Sequence, residues 1–160
     1  MGMNVTPESL KNVLTLLENV PRDIDKACED VFAEAGIYVV YGIRSGQMSS
    51  WDNQTGNLRS SIGWAVGRKG RVVRKSRFGT VLEGSEGSAK GEALIERLAS
   101  EYSQYDLALF IVAGEEYAVY VEAINNKVVL AGGYLYLEKN LVRRMQERIS
   151  TVLRKYENRR

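Results

Sequence analysis

The chain contains no histidine, one cysteine and two prolines among its 160 residues. Without histidine there is no Ser-His-Asp or Cys-His nucleophile activation, no imidazole proton shuttle and no metal site that needs an imidazole ligand. The lone Cys28 excludes an intrachain disulfide, a CxxC motif and a multi-cysteine metal site. It falls on the apolar stripe of an expected helix and reads as a packing residue, not a reactive thiol. Long apolar runs are missing as well. The longest, residues 107–113, is far below the roughly 18 residues of a spanning helix. No signal peptide, transmembrane helix or membrane contact is therefore expected, and the protein reads as cytoplasmic when made. Neither GxGxxG nor the P-loop pattern occurs, so no cofactor is expected. Glu115 and Glu116 are adjacent, would point apart on a strand, and read as a surface pair. No catalytic residue and no metal ligand is assigned.

What is present is an ordinary soluble composition, 44% hydrophobic and 26% charged, on a length that suits a single domain, 1–160. The net charge is only +2, but its distribution is uneven. Arg59, Arg68, Lys69, Arg71, Arg74, Lys75 and Arg77 follow one another with no acid between them. Arg143, Arg144, Arg148, Arg154, Lys155, Arg159 and Arg160 load the C-terminus, while acids gather at 18–30 and 83–101. Separated blocks of opposite sign suit a subunit that docks on its copies, or one with a face toward nucleic acid.

Periodicity divides the chain into a helical part (1–45), a sheet region (57–132) with an inserted helix, and a C-terminal helix (134–156). Thr6 caps a first helix and Pro7 sits at its first position, with Leu10, Val13, Leu14 and Leu17 at helical spacing. Pro21 interrupts, and a second helix is expected from 22 to 43. Its stripe is Ile24, Cys28, Val31, Ala35 and Val39, and its apolar end, 38–41, should be the most deeply buried. A Gly/Ser/Asn loop at 45–56 is pinned by Trp51. Ile62, Trp64 and Val66 alternate as a strand, 67–70 is a turn, and 71–81 returns as a second strand. Residues 83–91 read as loop, 92–102 as the inserted helix, and 105–113 as an apolar strand at the centre of the sheet. Residues 115–123 fit either a helical turn or a short strand, and 127–130 reads as a small strand ending at Gly132-Gly133. The last helix carries the stripe Leu137, Leu141, Met145, Ile149, Val152 and Tyr156. The expected class is α+β: a small, mostly antiparallel sheet with a basic hairpin, packed against two N-terminal helices and a long C-terminal one.

Two stretches are specific when taken together. Thr55, Gly56, Leu58, Arg59, Ser61 and Ile62 precede and enter the hairpin, and Tyr117, Ala118, Tyr120, Val121 and Glu122 come later. Leu135 and Leu141 then open the C-terminal helix. In this order the chain resembles the small tail-completion and head–tail joining proteins of long-tailed bacteriophages, over about residues 6–156. Those proteins carry a D-T-G-x-L-R-x-S-I segment, a Y-A-x-Y-V-E segment and a P-F-L-x-x-A-L segment. Here Glu122 is followed by Ala-Ile-Asn-Asn instead of a Gly-Thr turn, Tyr134 stands near the family's proline, and 83–104 looks like an insertion. The resemblance implies a non-enzymatic virion subunit of a phage or prophage. Such a subunit forms a ring, often six-fold, from copies of itself and contacts neighbouring tail or head-completion proteins. It is found in the host cytoplasm during assembly and then at the tail or head–tail junction.

The same residues have a plain physical reading. Gly56 can open a turn at positive φ, and Leu58 and Ile62 can anchor the strand entrance. Arg59 can pair with Glu122, and Tyr117 and Tyr120 offer amphipathic contacts at a core rim or an interface. The hairpin residues Arg68, Lys69, Arg71, Arg74 and Lys75 are the candidate interface or DNA-facing side chains. Of these, Arg68, Lys69 and Arg71, within residues 66–71, are expected to form an exposed, unpaired, mobile tip whose removal barely changes stability. Its partner would be the acidic stretch of a neighbouring copy, or DNA held without sequence preference. A small nucleic-acid-binding module is the alternative reading, and an enzyme using carboxylates or Tyr/Lys the third.

Overall fold

The computed structural model describes residues 6–52, 55–116, 118 and 128–158. The class is α+β. Four helices and a three-stranded antiparallel sheet are found among the described residues: α1 (Pro7–Arg44), α2 (Asn57–Ser60), β1 (Ile62–Arg68), β2 (Arg71–Lys75), α3 (Ser85–Glu101), β3 (Ala108–Ala113) and α4 (Ala131–Glu157).

One helix stands where two were expected. The Thr6 hydroxyl accepts the Ser9 N–H at 3.1 Å and Pro7 follows it. The helix then runs through Pro21. Proline there removes the bond to the Leu17 carbonyl, but both residues are exposed and water can donate to that carbonyl in place of the missing N–H. Tertiary contacts hold both sides of Pro21 to one axis. Leu16 and Val20 lie beside Leu153 and Tyr156 of α4, and Asp23 accepts the Tyr156 hydroxyl at 2.6 Å. The buried side of α1 is Ala27, Val31, Ala33, Ala35, Gly36, Val39, Val40, Gly42 and Ile43. Its C-terminal end is not buried all round: Ile37, Tyr38 and Tyr41 are more than half exposed.

The strand order is β2-β1-β3, so β1 is central and the apolar β3 lies at the edge of the sheet, not at its centre. Alternation along β1 divides the core in two. Ile62, Trp64 and Val66 join Leu109 and Ile111 of β3 under α1 and α4, with Trp51 and Leu58 in the same cluster. Ala65, Phe110 and Val112 point the other way and meet Phe78, Leu94 and Ile95 under α3. The sheet is therefore a middle layer. The long N- and C-terminal helices form one outer layer and the inserted helix forms the other.

The hairpin turn is two residues, Lys69 and Gly70, both at positive φ (48° and 83°), the primed geometry that matches strand twist. The register slips between Val66 and Gly67, and β2 ends at Lys75 rather than near 81. Beyond it Ser76 stays tied to Trp64 of β1, its N–H donating to the Trp64 carbonyl at 2.9 Å and its hydroxyl accepting the Trp64 N–H at 3.0 Å. Helix α3 begins at Ser85, within the stretch read as a Gly/Ser loop. The glycines there serve close packing: a Cβ on Gly91 would meet the Phe78 ring and the Ser61 carbonyl. Gly132 and Gly133 likewise lie inside α4, where Gly133 passes beside Val39 and Ile43 of α1. Residues 128–130 form no strand; Val128 is tied to Ser50 by two hydrogen bonds. Most of the stretch 115–123, including Tyr117, lies outside the described residues, as does Lys127.

Candidate interface: the basic hairpin and the first helix

The strand alternation that divides the core also sorts the hairpin cations. Arg74 stands opposite Val66 and so lies on the α1 side; Lys75 stands opposite Ala65 and lies on the α3 side. Arg74 meets Asp30 of α1 at 2.7 Å, and Lys75 meets Glu96 of α3 at 3.3 Å. Arg68 bridges two turns of α1, reaching Asp25 at 2.7 Å and Glu29 at 3.3 Å, with a side chain only 25% exposed. The hydrogen bond it donates to Asp25 is the largest influence holding the Arg68 guanidinium above its ordinary pKa. Lys69 reaches Asp106 at 3.4 Å across an exposed gap. Arg71 alone of the five has no carboxylate partner among the described residues.

The expectation of an unpaired basic tip is therefore corrected. The acidic blocks at 18–30 and 83–101 are the hairpin's counterparts within the same chain. Periodicity shows which residues share a face, but not which face a hairpin will cross, so this pairing was not legible locally. The one signal was the opposite sign of the blocks.

The motif around Thr55 is structural. Gly56 sits at φ 84°, and Leu58, Ser61 and Ile62 are buried at the start of the sheet. Thr55 is exposed and its hydroxyl accepts the Asn57 N–H at 3.4 Å. Ser60, which the motif reading passed over, is fully buried and accepts the Val81 N–H at 2.8 Å. The Ser61 hydroxyl accepts the Glu115 N–H at 3.3 Å and donates to the Leu58 carbonyl at 2.8 Å. Arg59 lies over the Trp51 ring at 5.3 Å. Its expected partner Glu122, with Tyr117, Tyr120 and Val121, lies outside the described residues.

Glu115 is not the surface carboxylate that adjacency to Glu116 suggested. It is 4% exposed and accepts from Lys90 at 3.1 Å. Lys90 also meets Glu86 at 2.9 Å, and hydrogen bonding to Glu86 first and Glu115 second pushes its pKa up to about 12. Cys28 is half-buried, and burial pushes its thiol pKa up, away from the reactive thiolate. Among the described residues no three His, Cys, Asp or Glu side chains are grouped to hold a metal ion, and no helix is long and apolar enough to cross a membrane.

One surface stands out that the periodicity reading treated as an ordinary packing stripe. Leu10, Val13, Leu14 and Leu17, in the first turns of α1, are 52%, 52%, 59% and 65% exposed. Comparison with protein-family models, curated proteins and solved structures finds no match for this chain.

Proposed function

We propose that this chain is a structural, non-enzymatic subunit of a phage or prophage virion that assembles with copies of itself in tail completion or head–tail joining. The observation that carries the assembly part is the exposed leucine-rich stripe on the first turns of α1. Contiguous apolar side chains exposed on a helix face mark an interaction surface. The virion part rests on the resemblance described above. The residues at Gly56, Leu58, Ser61 and Ile62 support it by their work in the fold, where they shape and bury the entrance to the hairpin. The pairing of Arg68, Arg74 and Lys75 with carboxylates of the same chain weighs against a DNA-binding hairpin, since those carboxylates compete with phosphate.

The test is genetic and biochemical. In a phage or prophage carrying this sequence, deletion of the gene should leave heads and tails unjoined or tails unfinished. The protein should be found in purified particles. Normal infectivity without the gene, or particles lacking the protein, overturns the reading. A monomer whose affinity for DNA falls steeply with salt would favour the nucleic-acid module instead.

A further inference from the structure

The side of α1 that faces α4 carries Asn12, Leu16, Asn19 and Val20, which lie beside Leu153 and Tyr156. Helical spacing puts Leu10, Val13, Leu14 and Leu17 on a different side, at i, i+3, i+4 and i+7, a narrow seam of the kind that pairs with another helix. Two charges border this seam, Lys11 and Glu18. They are seven residues, or two turns, apart and lie along the same edge. Among the described residues neither has an ion-pair partner.

We propose that this stripe pairs with the same stripe of a second copy, the two helices running antiparallel about a two-fold axis near residues 13 and 14. The arrangement of the charges selects this occupant. An antiparallel two-fold pairing brings like edges together with their ends reversed, so Lys11 of each copy comes beside Glu18 of the other, twice. Leu10 then faces Leu17, and Val13 faces Leu14. A parallel pairing would set the charged edge against the edge that carries Ser9 and Leu16, and neither charge would gain a counterpart. A lipid surface is a poorer fit, because the flank offers one acid for each base and no basic excess. The interface is small, so association is reversible and concentration-dependent. This deepens the assembly reading by naming the partner of the stripe, and it does not depend on the virion assignment.

The experiment is sedimentation velocity on the full chain from about 1 to about 100 µM, with variants. The parent should shift from monomer to dimer, or to a larger assembly built through this contact. Leu14→Glu should weaken self-association at least about tenfold. At about 1 µM, where the parent is monomeric, its circular dichroism and melting temperature should match the parent's, because the side chain is exposed in the single copy. Lys11→Glu and Glu18→Lys should each weaken association about three- to tenfold, and the two together should restore it to within about twofold. A parent that stays monomeric, a Leu14→Glu variant of parental mass, or a double variant as weak as the singles overturns the proposal. So does a stripe that binds only vesicles or another protein. A monomer in solution leaves the particle test untouched, and absence from particles leaves a dimer standing, so the two readings fail separately.

Discussion

At Gly56 the backbone turns at φ 84°, and a Cβ there would stand against the Val81 carbonyl oxygen. A left-handed conformation and a blocked direction coincide, so no side chain is tolerated without moving the 81–84 segment. Gly56→Ala should lower stability by about 1–3 kcal/mol, read as a drop in the denaturation midpoint with an unchanged slope. The sequence pointed to this glycine through its motif. It did not reveal what blocks the site, because Val81 is 25 residues away and arrives only when the hairpin has closed. Ser60 and Ser61 teach the same lesson. Small hydroxyl residues before a strand read as turn formers, yet both are buried connectors whose partners come from other segments.

Among the elements, α1 and α4 form the most telling pair. They run antiparallel, joined by Gly133 beside Val39 at one end and by the Tyr156 hydroxyl on Asp23 at the other. Between these ends Arg148 donates to both carboxylate oxygens of Glu34, at 2.8 and 2.9 Å. The hydrogen bond from Tyr156 is the main cause that holds the Asp23 carboxyl below its usual range, with Lys155 adding to it. A depressed carboxyl pKa stabilises the fold above the unfolded value, and the contribution is lost as pH falls through the folded one. Unfolding titrations from neutral pH down to about pH 2 should show this as acid sensitivity. Asp23→Asn should be less stable than the parent at neutral pH and lose less on acidification. The stripe of α4 was legible, but its depth was not. Leu141, Met145 and Ile149 are only half-buried, and Leu141 lines an open groove beside Leu107, Leu109 and Ile111. Met145→Asp should therefore cost about 1–2 kcal/mol by thermal or chemical denaturation, less than a charge placed in a closed core.

For the whole molecule, charge is organised inside the fold. The basic hairpin lies between an acidic stretch of α1 and an acidic stretch of α3, so the uneven distribution along the sequence becomes pairing in space. This divides cations that look equivalent in the sequence. Arg68→Ser leaves two carboxylates facing each other beside a partly buried site and should lower stability by about 1–2 kcal/mol. Arg71→Ser should change it by less than about 0.5 kcal/mol, because Arg71 is exposed and has no carboxylate partner among the described residues to lose. Melting curves of the two variants at low and high salt check both, and the deficit of the first should shrink as salt screens the parent's ion pairs.

By itself the sequence determined the α+β class, the Thr6 cap of the first helix, the apolar stripe of the last, the hairpin, and the chemistry that has no residues to perform it. Each of these follows from local stereochemistry and from the periods of helix and strand. The tertiary structure alone decided that α1 continues through Pro21, because α4 braces both sides of the proline. It decided that β3 is an edge strand, since a run of apolar residues does not say which neighbour it will pair with. It also decided that the basic hairpin is met by acids of its own chain while the stripe of Leu10, Val13, Leu14 and Leu17 on the first helix is left exposed. Those outcomes depend on which faces meet across long stretches of chain, and no local pattern of residues encodes that meeting.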